Sequence, residues 1–218
     1  KIISNIIGCE FKRVQGAIDI QPADVIGVRI FDPTTKEFHL RKGPVFTNIL
    51  LVDEINRINP RSQSAFIESL SERQTTIDGI TFDLPKPYMV IATQNPYENE
   101  GTFPLIEVQR DRFAYSIITT YLNDEEEREL IKRASYGQLS WAHFSTTIHP
   151  LITKDELIKL IKIISNITVE DPVQKYIKDI IMATRNHNEV RLGASSRASI
   201  SMVQGVKCLA AMNGREYA

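Results

Sequence analysis

The sequence predicts an α/β core followed by an all-helical part. Two runs, "NILLVDE" (48–54) and "YMVIATQNP" (88–96), are continuously apolar and then end in polar residues. That is the pattern of parallel strands buried on both faces. From about Asp124 onward every long segment instead has helical periodicity.

Taken in order, "KIISNIIG" has apolar residues at 2, 3, 6 and 7, a helical stripe that Gly8 stops. "CEFKRVQ" alternates like a strand. "FDPTTKEFHLRKGPVF" holds a turn at Asp32-Pro33-Thr34 between two extended pieces. After "NILLVDE", Asn59 caps a helix whose first position is Pro60, with Ala65, Phe66 and Leu70 on one face. "TTIDGITFDL" is a β-hairpin, because Asp78-Gly79 suits a type I′ turn between β-branched flanks. "YMVIATQNP" is the second buried strand, stopped by Pro96, and "YSIIT" from Tyr115 is a third. The helices are expected in "DEEERELIKRA", "TKDELIKLIKIISN", "DPVQKYIKDIIMATRNH" and "SSRASISMVQGVKCLAAMNG", with Tyr136 to Pro150 as the loosest connection.

Bulk properties narrow the function. Lys and Arg number 26 against 27 Asp and Glu, a net charge of −1, and no block of like charge stands out. Charge therefore offers no sign of nucleic acid or an anionic membrane as partner. The apolar runs are far too short to span a bilayer, so stable membrane insertion is not expected. Cys9 and Cys208 lie far apart and outside any metal-ligand spacing, which fits a reduced, cytoplasmic setting.

Asp53, Glu54 and Asn95 stand at the C-terminal ends of the two buried strands. If those strands are neighbours, the three side chains converge at one sheet edge, where α/β proteins bind ligands. Two adjacent carboxylates there suit a hydrated metal ion and a water molecule beside a bound nucleotide. Acids that merely cap strand ends near water are the alternative, and Asn95 before Pro96 would also suit an Asx turn.

The stretch from "FKRVQ" through "GPVFTNILLVDEINRINPRSQSAFIESLSERQTTIDGITFDLP" to "VIATQNPYENEGTFPLIEVQRDRF", with the later "RLGASSRAS", closely resembles the MoxR family of AAA+ ATPases. The motifs are separate and in the right order over nearly the whole chain. The resemblance implies a three-layer αβα P-loop NTPase core over residues 1–130 and a helical lid over 131–218. It implies ATP and Mg²⁺ as cofactors and a ring homo-oligomer, typically a hexamer, with ATP between neighbours. Asp53 then corresponds to the Walker B aspartate, holding magnesium through water. Glu54 corresponds to the base that polarises the attacking water, and Asn95 to sensor 1. Arg112 corresponds to the arginine finger and Arg197 to sensor 2. The hairpin Thr75 to Leu84 corresponds to the family's helix-2 insertion, facing the ring pore or a client. Arg57 and Arg191 are weaker candidates for approaching a neighbour's phosphate.

The chain departs from the family pattern in places. The phosphate-binding loop and the central strand before it have no counterpart between Lys1 and Ala218. The expectation is that they precede Lys1 in a longer chain. Ile106 and Arg110 stand where the family has proline and an apolar residue, which leaves Arg110 as a rival to Arg112. The family also normally adds a helix after Tyr217-Ala218.

The function so implied is chaperone-like remodelling or activation of clients, as in metalloenzyme maturation with von Willebrand factor A-type partners. The alternatives are a non-catalytic AAA+-shaped scaffold or a magnesium-chelatase-like ATPase subunit. A DNA helicase reading is weaker, because the hairpin carries Asp78 and Asp83 and no cation for phosphates.

Overall fold

β4 (Ile49–Asp53) is the middle of a three-stranded parallel sheet, flanked by β1 (Phe11–Gln15) and β7 (Met89–Ala92). The structure, a computed structural model, describes residues 1–95, 101–141, 143–144 and 148–218. Part of the "QNPYENEGTFP" motif, Pro96 included, lies outside the described residues. The unbroken apolar run of β4 has the expected cause: Ile49, Leu50 and Val52 are buried, and Leu51 is half-buried. Around them pack Val25, Val45, Phe46, Ile55, Ile58, Phe66 and Ile67.

α1 (Ile2–Ile6) ends before Gly8, and α2 (Pro22–Ile26) follows β1. An antiparallel hairpin of β2 (Gly27–Asp32) and β3 (Glu37–Lys42) comes next, with the Phe31 and Phe38 rings 5.3 Å apart. After β4, α3 (Pro60–Glu72) starts as expected. The Asn59 side chain accepts from the Ser62 N–H at 3.1 Å, and Pro60 occupies the first turn, where its missing N–H costs nothing. The stripe α3 buries is more polar than the sequence suggests: Ser62, Gln63 and Ser69 are buried beside Phe66 and Ile67. The hairpin of β5 (Gln74–Ile77) and β6 (Ile80–Asp83) turns at Asp78 and Gly79, both at positive φ as a type I′ turn requires.

One expectation is corrected. Tyr115–Thr119 is not a strand: it forms no ladder, and Ile117 and Ile118 are 86% and 89% exposed. A parallel strand exists only by pairing, and no strand lies beside this segment among the described residues. By chain order α2 is followed by β2–β3, whereas β5–β6 follows α3.

Beyond the sheet the chain is helical. α4 (Glu107–Arg110) and α5 (Asp124–Ser135) lead to α6 (Lys154–Ser165), α7 (Asp171–Asn186) and α8 (Ser196–Met212). α5 and α6 begin with reciprocal capping boxes, Asn123 with Glu126 and Thr153 with Glu156. Among the described residues of this helical part, Ile167, Val169, Ile177, Ile181 and Ala210 are the buried apolar ones. Among the described residues no helix is long and apolar enough to cross a membrane.

Candidate functional site

Strand register sets the site. Gln15 on β1 pairs with Asp53 on β4, and Val52 pairs with Ala92 on β7. The C-terminal ends of three parallel strands therefore coincide, bringing Gln15, Asp53, Glu54 and Thr93 to one edge.

The backbone at Glu54 leaves the strand abruptly, at φ 53 and ψ 51. This left-handed conformation is uncommon for a residue with a side chain and is held where surrounding bonds demand it. Three bonds do so. Thr93 Oγ1 accepts from the Glu54 N–H at 2.9 Å, the Thr93 carbonyl accepts from Ile55 N–H at 3.0 Å, and the Asp53 carbonyl accepts from Gly16 N–H at 2.7 Å. Gly16 is needed for that approach, since a Cβ there would stand 2.1 Å from the Glu54 carbonyl oxygen.

Neighbouring side chains hold both carboxylates. Asp53 accepts from the Thr93 hydroxyl on one oxygen and from Arg13 on the other. Glu54 Oε2 accepts from Gln15 Nε2 at 2.8 Å and from Arg57 Nη1 at 3.2 Å. The Thr93 hydroxyl first, and Arg13 second, hold the Asp53 carboxyl below the usual carboxylate range. The side chains stay partly open to solvent, 25% for Asp53 and 29% for Glu54. An ionised oxygen donor that already attracts a guanidinium fits a hard divalent cation.

The other expected residues sit around this pair. Asn95 is half-buried two residues past Thr93, and its carbonyl accepts from Asn56 Nδ2 at 3.3 Å. Arg112 is half-buried just after α4, and Arg197 is exposed in the first turn of α8, whose N-cap is Ser195. Neither guanidinium is bonded to Asp53 or Glu54. Arg57 and Arg191 have partners within the chain: Arg57 pairs with Glu54, and Arg191 with Glu107. Sequence reasoning missed Arg13, Gln15 and Gly16. The signal available was "RVQG", where two polar residues at i and i+2 share one face of a strand that ends in glycine.

An acid pair at the C-terminal edge of a parallel sheet, followed by a helical lid, is the architecture of a P-loop-type nucleotide-binding core. Known proteins agree. Residues 1–115 match the model of the ATPase family associated with various cellular activities (AAA), and residues 182–218 match the AAA lid domain. The chain is 39% identical over its whole length to the uncharacterized protein YeaC of Bacillus subtilis, of which it spans 66%. It is 37% identical over 98% of its length to chaperone MoxR1 of Mycobacterium tuberculosis, of which it spans 57%. A solved structure from Cytophaga hutchinsonii, described as a candidate ATPase, superposes with a TM-score of 0.86 at 35% identity. That comparison covers all of this chain and 67% of the other. A magnesium-chelatase subunit ChlI homolog from Methanocaldococcus jannaschii is more distant, at 25% identity over the whole chain and 56% of the homolog. The chain belongs to the MoxR family of AAA+ ATPases.

Proposed function

We propose that this chain supplies the core and lid of an ATP-hydrolysing ring subunit that remodels or activates client proteins. The observation that carries the reading is the binding of Asp53 and Glu54 to the ends of both flanking parallel strands, which puts two solvent-accessible carboxylates at one sheet edge. The family membership supports it, and the MoxR1 relative is named a chaperone.

In this reading Asp53 holds Mg²⁺ through its water shell, since that ion keeps most of its waters and takes few protein ligands. Bound there, Mg²⁺ supplies neutralising charge to the phosphate oxygens. Glu54 accepts a proton from the attacking water. Asn95, a neutral donor and acceptor, orients that water without repelling the phosphates. Arg197 reaches the nucleotide of its own subunit from the lid. Arg112 reaches that of the neighbour, and each stabilises charge on the transferred phosphoryl group. The core takes residues 1–130 and the lid 131–218. The partners are further copies in a ring, probed first as a hexamer, then a von Willebrand factor A-type protein and a client metalloenzyme.

The test is Glu54→Gln in the full-length protein. The amide cannot take a proton from water, so ATP binding is expected to persist while phosphate release falls to background. Asp53→Ala is expected to weaken the magnesium-dependent part of binding. Unchanged turnover in Glu54→Gln would remove Glu54 from the mechanism. A wild-type protein that binds no nucleotide would favour the scaffold.

A further inference from the structure

Pairing with β4 fixes this part of the chain as far as Thr93, whose N–H donates to the Val52 carbonyl and whose carbonyl accepts from Ile55 N–H, both at 3.0 Å. Asn95 lies two residues further on, beside two buried amides: Asn56 in the turn after Glu54, and Gln63 on α3. Asn56 Nδ2 donates to the Asn95 carbonyl at 3.3 Å. The backbone that carries Asn56 is itself held on both sides. Gln63 Nε2 donates to the Ile55 carbonyl at 3.2 Å, and the Asn56 carbonyl accepts from Phe103 N–H at 2.6 Å. Gln63 Nε2 also donates to the Phe103 carbonyl at 2.7 Å, so the two hydrogens of one NH₂ group serve both neighbours of Asn56.

Stability does not account for an asparagine in this turn. Asn56 Oδ1 is buried and has no hydrogen-bond partner among the described residues. A buried acceptor left unmet is destabilising, and an apolar side chain of similar size would leave none. The bond that the Asn56 side chain does make goes to the backbone of Asn95. We propose that Asn56 is a positioning residue for Asn95, and that Gln63 acts through Asn56 by holding the turn that carries it. This deepens the reading above and rests on the role given there to Asn95. It also accounts for the buried glutamine of α3, which faces inward because the Ile55 and Phe103 carbonyls need a donor there.

The experiment uses the full-length protein and follows turnover, urea unfolding and amide exchange together. In Asn56→Leu the lost bond is offset by removal of the unmet oxygen, so the urea midpoint is expected to stay near wild type. Its kcat for ATP is expected to fall about tenfold with KM little changed, less than the hundredfold of a misplacement of about 1 Å, because Thr93 is still held by β4. Asn95→Ala is the reference, and the double variant is expected to be no slower than Asn95→Ala alone, since Asn56 acts through Asn95. Gln63→Met leaves two buried carbonyls unmet. It is expected to lower the urea midpoint, to slow turnover by a smaller factor, and to quicken amide exchange over residues 101–105. Asn56→Leu keeps the carbonyl that Phe103 N–H bonds and is expected to leave that exchange unchanged. If Asn95→Ala hydrolyses ATP at the wild-type rate, the role given to Asn95 fails and this inference fails with it. If Asn95→Ala is slow while Asn56→Leu runs at full rate, or the two losses multiply in the double variant, the positioning role alone fails and the reading of Asn95 stands. A urea midpoint in Asn56→Leu lowered as far as in Gln63→Met would make Asn56 a structural residue and overturn the proposal in the same way.

Discussion

Gly16→Ala tests whether the site depends on how closely β1 approaches β4. The new Cβ would lie 2.1 Å from the Glu54 carbonyl oxygen and 2.9 Å from that of Asp53. Both obstacles are backbone, so no side chain can swing aside. Reaching ordinary contact requires a displacement of about 1 Å at the strand end. The Gly16 N–H bond to Asp53, now 2.7 Å, then opens, at about 1 kcal/mol. Overpacking adds about 1–3 kcal/mol. The expected total is about 2–4 kcal/mol, measured by urea unfolding. The same displacement moves Glu54, and a misplacement of about 1 Å at a reacting group lowers turnover on the order of a hundredfold. An alanine variant within about 0.5 kcal/mol of wild type, hydrolysing ATP at full rate, would refute the reasoning, since a change that small is ordinary for a tolerant surface position.

Arg112→Ala is expected to bind ATP but hydrolyse it on the order of a thousandfold more slowly. Mixing it with Glu54→Gln is expected to restore part of the activity, because a mixed interface can pair an intact Glu54 with an intact Arg112; co-assembled mixtures without recovery would speak against shared sites. Arg197→Ala is expected to lower ATP affinity and to speed amide exchange across Asp171 to Gly214 with ATP present, read by hydrogen-exchange mass spectrometry. Tyr88, whose hydroxyl lies 3.2 Å from Ser69 Oγ, has its pKa pushed up to about 12 by burial. Its neutral form is favoured in the folded state, so its contribution is complete below pH ~10 and lost as pH rises towards 12, about 2–3 kcal/mol in all. Urea midpoints followed from pH 8 upward are expected to fall less steeply in Tyr88→Phe than in wild type.

The parts of the site legible in the sequence are those a single segment encodes. β4 could be read because burial on both faces leaves an unbroken apolar run, and Asp53 and Glu54 stand where it ends. Asn59-Pro60 and Asp78-Gly79 could be read because caps and tight turns are local chemistry. Arg13 and Gln15 were not, because "FKRVQ" looks like an ordinary alternating strand. Their importance comes from parallel register with β4, a pairing across 38 residues. Gly16 reads as a strand stop, whereas its reason is the carbonyl of a residue far along the chain. Tyr115–Thr119 was misread for the complementary reason: its β-branched composition suits a strand, but a ladder also needs a neighbour.

The same distinction explains why Thr93, rather than another β-branched residue, follows β7. Valine would suit the strand equally well. Among the β-branched residues only threonine carries a hydroxyl, and that of Thr93 both donates to Asp53 Oδ1 and accepts from the Glu54 N–H. One side chain thus ties β7 to the charge of the first acid and to the backbone of the second. The left-handed turn at Glu54 costs on the order of 1–3 kcal/mol. It is offset by the bonds from β7 on one side and the Gly16 bond from β1 on the other. Strain at Glu54 therefore persists only while all three strand ends stay aligned. The orientation of the acid pair is a property of the sheet, and the residues that set it lie on strands other than the one bearing the acids.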